Sequence, residues 1–104
     1  MYARVTVLEW KIGHKREGME EMIRLLHQKI VPTARQQQGF KGFLGLLNRY
    51  EGRGMAITLW QTVADLRASE ASGYYQEQLA QAEPLLGLSA LPLEREVYEV
   101  VIQE

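Results

Sequence analysis

Histidine is the side chain whose ordinary proton equilibrium lies near neutral pH, and this chain has two, His14 and His27. At about 100° per residue along a helix, His27 lies about 80° from Met19, at the edge of an apolar stripe, where it can reach a cavity between helix and sheet. That makes it the candidate general base; the plainer reading is a boundary residue bonded to backbone or water. His14 stands beside Lys15 and Arg16 and reads as a solvated loop residue. Trp10, Trp60, Tyr74 and Tyr75 are of the type that lines a pocket for an aromatic compound, and Trp60, Tyr74 and Tyr75 are the candidate ligand-binding residues. Aromatic residues at strand ends and helix starts also serve as core or interface residues, and that alternative stays open. Arg4 is expected to pair with a glutamate such as Glu96 or Glu99. No Ser-His-Asp set, phosphate-cradling glycine loop or metal-spaced cluster is present, so no metal site is expected.

The elements that must position these residues follow from periodicity. Residues 2–10 alternate with the β-branched and aromatic content of a strand. If Val5 and Val7 face the helices, then Tyr2, Arg4, Thr6 and Leu8 face away. Gly13 breaks the strand, and residues 16–37 change to helical spacing: Met19, Met22, Ile23, Leu26, Ile30 and Ala34 share one stripe, with Glu20, Glu21, Arg24 and Gln28 away from it. Pro32 falls inside this segment and removes a donor, which predicts a kink or an end near Lys29. Residues 40–49 form a second strand and residues 55–61 a third, joined by a glycine-containing hairpin loop. Thr62 and Asp65 have capping-box spacing, so a helix starts there. Ser72 and Gly73 interrupt it, a second helical piece spans 74–83, and residues 85–92 read as an irregular connection. A last strand covers 94–102.

Strand, helix, strand, strand, helix, strand over residues 1–104 is the ferredoxin-like α+β order in a single domain, a four-stranded antiparallel sheet with both helices on one face. The other sheet face then carries apolar side chains that water would meet. Packing two such faces about a twofold axis covers them, which predicts a homodimer.

Composition narrows the function further. There are 12 Lys and Arg against 13 Asp and Glu, a formal net charge of -1, which is not the basic footprint of a nucleic-acid binder. Lys41-Gly42-Phe43 is similar to the start of an RNA-recognition motif, but Leu44 and Gly45 depart from it and the segment lies on the second strand. With no cysteine, neither a disulfide framework nor a thiol nucleophile is available. No membrane span or signal segment is evident, and a cytoplasmic protein is expected.

Several landmarks resemble the antibiotic-biosynthesis-monooxygenase type of dimeric α/β barrel: Lys11-Ile12-Gly13, Gln38-Gly39-Phe40-Lys41-Gly42, Leu59-Trp60, Ala64-Asp65-Leu66 and Ser72-Gly73-Tyr74-Tyr75. The resemblance implies a homodimer and cofactor-independent oxidation of a small aromatic compound. The alternative is a non-catalytic dimeric module that binds a small hydrophobic ligand or a protein. Many members place a histidine where this chain has Ser69. The haem-degrading branch carries a second tryptophan at Ser69 and a haem-ligating histidine at Leu79, so no cofactor is expected.

Overall fold

In the computed structural model, which describes residues 1–10, 15–86 and 95–104, four strands form one antiparallel sheet. They are β1 (Tyr2–Glu9), β2 (Phe40–Asn48), β3 (Arg53–Trp60) and β4 (Arg95–Glu99), in the spatial order β2-β3-β1-β4. Helices α1 (Lys15–Leu25), α2 (Val31–Ala34), α3 (Val63–Ala71) and α4 (Tyr74–Leu86) pack on one face, giving the expected ferredoxin-like α+β arrangement. The landmark Lys11-Ile12-Gly13, His14 and most of the expected irregular connection lie outside the described residues.

Glycine sets two of the junctions. Gly52 has φ +72° in the β2–β3 hairpin, where its N–H donates to the Asn48 carbonyl at 3.0 Å and its own carbonyl accepts the Trp10 N–H at 2.9 Å. Gly39 has φ +79°, and a Cβ there would fall on the Asp65 carboxyl. Its carbonyl accepts the Gln61 N–H at 2.8 Å. Gly39 therefore lets the entry to β2 lie against the first turn of α3. That turn has the expected cap with one difference. The Asp65 N–H donates to Thr62 Oγ1 at 3.1 Å, but the short Asp65 side chain accepts from the Thr62 hydroxyl at 2.9 Å and not from its backbone.

Three expectations are corrected. The face of β1 that meets the helices carries Arg4, Thr6 and Leu8, all buried, while Val5 and Val7 lie on the open face. Hydropathy favoured the valines; the helices instead supply Glu70, Ser69 and Tyr75 as partners that make a buried Arg4 tolerable. Arg4 consequently pairs with Glu70, not with Glu96 or Glu99. Secondly, of the kink or end expected near Lys29, the end does not occur. The first helix widens into a π turn over Leu26–Ile30, where the Val31 N–H donates to the Leu26 carbonyl, and then resumes as α2. The widening immediately precedes Pro32, which has no N–H to donate to the preceding turn. The Thr33 hydroxyl donates to the Lys29 carbonyl at 2.8 Å and satisfies one acceptor there. Thirdly, α4 runs through Pro84 to Leu86; Pro84 is exposed, where water can serve the acceptor it leaves without a donor.

The core has two parts. Leu8, Trp10, Met19, Met22 and Ala82 cluster under α1 and α4. Ala34, Trp60, Leu66, Tyr74 and Tyr75 cluster under α2, α3 and the start of α4, with Phe40 edge-on to Trp60 at 5.7 Å between ring centroids.

Candidate functional site

Between these clusters and strand β2 the helix and sheet layers do not close. Gly45 of β2 lies opposite Ala56 of β3 on the helix-facing side, so neither strand offers bulk at that level. The resulting cavity has a volume of about 560 Å³, within the range of small-molecule sites. Its walls include Trp10, Met22, Leu26, Phe43 and Leu47, and among the described residues its polar side chains are His27, Arg35 and Arg49. Arg49 is tied to Glu20 of α1 at 2.8 Å, so an ion pair spans from the end of β2 to the helix. The hydrogen bond and charge of Arg49 hold the Glu20 carboxyl below its ordinary range.

A second polar group lies deeper and is organised differently. The Arg4 side chain is 2% exposed. Its Nη1 donates to Ser69 Oγ at 2.8 Å and to Glu70 Oε2 at 3.3 Å. Its guanidinium carbon lies 3.9 Å from the Tyr75 ring centroid and 5.3 Å from that of Trp60. The Ser69 hydroxyl donates in turn to the Leu66 carbonyl at 2.6 Å. Glu70 Oε1 meets Arg95 Nη2 at 2.9 Å, which ties β4 to α3. Burial lowers the Arg4 pKa, opposed by Tyr75 and Glu70. Burial also raises the Tyr74 and Tyr75 phenols, opposed at Tyr75 by its 2.6 Å hydrogen bond with Thr6 and by the charge of Arg4.

The structure separates the residues singled out from the sequence. His27 lies on the π turn, exposed, and lines the large cavity. Trp60 is fully buried, its indole N–H donating to Thr58 Oγ1 at 2.9 Å. Tyr74 and Tyr75 border a cleft of about 50 Å³ that also touches Arg4 and Gln78. Leu8, Met22, Leu26 and Phe43 border both spaces and form the partition between them. Arg35, Arg49 and Phe43 were not anticipated. Uniform helical spacing turns Arg35 away from the apolar stripe, and the one sequence signal that this spacing would fail is Pro32. Among the described residues no group of His, Cys, Asp or Glu could hold a metal ion.

No family model and no curated protein matches this sequence. Solved structures do match over almost the whole chain. A monooxygenase from the gene ActVA-Orf6 of Streptomyces coelicolor, solved with the ligand nanaomycin D, superposes with a TM-score of 0.71 at 10% identity, covering 99% of this chain and 92% of that one. A Deinococcus radiodurans protein provisionally named an antibiotic biosynthesis monooxygenase gives 0.70 at 16% identity, over 100% and 96%. MhuD, a haem-degrader of Mycobacterium tuberculosis solved with two haems in its active site, gives 0.63 at 22% identity, over 100% and 99%. Together with the element order and sheet topology, these likenesses show that the chain has the antibiotic-biosynthesis-monooxygenase-like fold.

Proposed function

We propose that the cavity beneath the first helix binds a small hydrophobic or aromatic compound, and that the chain is a cofactor-independent monooxygenase acting on it. The observation that carries this reading is the roughly 560 Å³ apolar chamber with His27 on its lining. Dioxygen is the oxidant: one oxygen atom enters the ring of a phenol and the other leaves as water with two substrate hydrogens. His27 takes the proton that activates the ring, while Trp10 and Phe43 hold the ring and exclude water. The positions that correspond to the haem-degrading branch do not fit haem. Leu79 has no ligand atom, and Ser69 is engaged by Arg4 and the Leu66 carbonyl, so no step runs through that group. Dioxygen uptake with an electron-rich phenol such as 1-naphthol tests the proposal. His27→Ala should abolish uptake while leaving the fold intact; unchanged uptake removes His27 from the role.

A non-catalytic binding module is the second reading. It is favoured by the exposure of His27 and by the engagement of Arg4, Ser69 and Glu70 with one another rather than with the large cavity. Binding without oxygen uptake under any of these conditions would select it.

The proposed assembly is a homodimer through the open sheet face, in the cytoplasm. Leu44, Met55, Ile57, Leu59, Val5 and Tyr98 share that face by the strand registers, and Leu44 is 52% exposed. A second copy supplies the apolar cover that such a face requires. Leu44 does not line the large cavity, so Leu44→Glu should give a folded monomer by sedimentation velocity. A dimer that survives the change would place the interface elsewhere.

A further inference from the structure

We propose that the ligand is an acid, with its apolar body inside the chamber and its carboxylate held at the rim by Arg35. This rests on the binding reading above. Among the described residues the chamber lining contains His27, Arg35 and Arg49 and no aspartate or glutamate, in a chain whose net charge is -1, so the basic character of the lining is local. Arg49 already has a carboxylate partner in Glu20. Arg35 has no ion pair among the described residues.

Arg35 reaches the rim because of the π turn. At about 100° per residue, an uninterrupted α-helix would set Arg35 roughly 160° from Met19, on the far side from the stripe. A π turn accommodates an extra residue and rotates the later part of the helix back by about one residue step, which brings Arg35 to roughly 60°. Ala34 on the same segment packs against Trp60, and Ile30 borders the smaller cleft. The local geometry associated with Pro32 therefore places a guanidinium at the opening of a chamber whose walls are largely apolar. A single unpaired guanidinium matches a planar monoanionic carboxylate, which it can hold through two parallel hydrogen bonds.

The test compares 1-naphthoate with 1-naphthalenemethanol, which have the same ring system and differ in the charged group. In calorimetric titration at low salt the full chain should bind naphthoate about tenfold more tightly. In Arg35→Gln, an exposed position, the two should bind alike, with circular dichroism confirming the fold. Equal affinities in the unmodified chain, or a preference that survives in Arg35→Gln, overturn the acid assignment and leave the binding reading standing. Failure of both compounds to bind at millimolar concentration overturns both.

Discussion

The polar cluster around Arg4 and the chamber beside His27 lie a few side chains apart, on either side of Leu8, Met22, Leu26 and Phe43. In the first, the charge is buried, and a serine, a carboxylate and two aromatic faces meet the guanidinium. In the second, the walls are apolar and the cationic groups stand at an exposed rim. A buried charge is stable only when its own protein satisfies it. An exposed cation beside an apolar space is already solvated and remains available to a ligand. The lesson is that Arg4, Tyr74 and Tyr75, whose proton equilibria are displaced chiefly by burial, mark a structural centre, while the candidate site is recognised by shape and by the sign of its rim.

Each part of this contrast can be tested by substitution. Arg4→Ala has the largest expected effect, a loss of about 3–5 kcal/mol in denaturant unfolding, because it strips a buried partner from Glu70 and Ser69. If the variant folds normally but no longer binds naphthoate, the division between structural centre and binding chamber fails. Gly18→Ala comes next. Its Cβ would sit 2.5 Å from Trp10 Cδ1 and 2.7 Å from the Leu85 carbonyl, so about 1–3 kcal/mol of overpacking is expected, with displacement of the Trp10 wall readable in its fluorescence.

Tyr75→Phe removes the hydrogen bond with Thr6 and should cost about 1 kcal/mol. It also tests a pH dependence. The folded Tyr75 pKa is raised, chiefly by burial, so above the ordinary tyrosine value near 10 the unfolded chain holds fewer protons than the folded one. Stability should therefore fall as pH rises through about 10 toward the raised value, and the fall should be shallower in the variant. His27→Ala closes the series, with a stability change within about 0.5 kcal/mol for an exposed residue. A large destabilisation would mean that the π turn depends on that side chain.

Local signals identified much of this architecture. The alternation of β1 and the Thr62–Asp65 cap were readable because each depends on neighbours along the chain. Gly39 illustrates the limit. Its place at a turn was evident, but its closeness to Asp65 joins two segments that only folding brings together. Periodicity also missed Arg35, because a hydrophobic stripe drawn at a constant angle has no means of registering a π turn. His27 is the second residue of that turn and lines the chamber.

Sequence by itself determined the order of the strands and helices, the position of the hairpin and the apolar character of both sheet faces. These follow from residue propensity and short-range spacing. Tertiary structure alone decided which face of β1 is covered. A strand of period two has two candidate faces, and Val5 with Val7 looked the better core on hydropathy. The choice fell to Arg4 and Thr6 because α3 and α4 bring Ser69, Glu70 and Tyr75 to meet them. The stability of a buried polar group depends on partners far away in sequence, and no local pattern contains them.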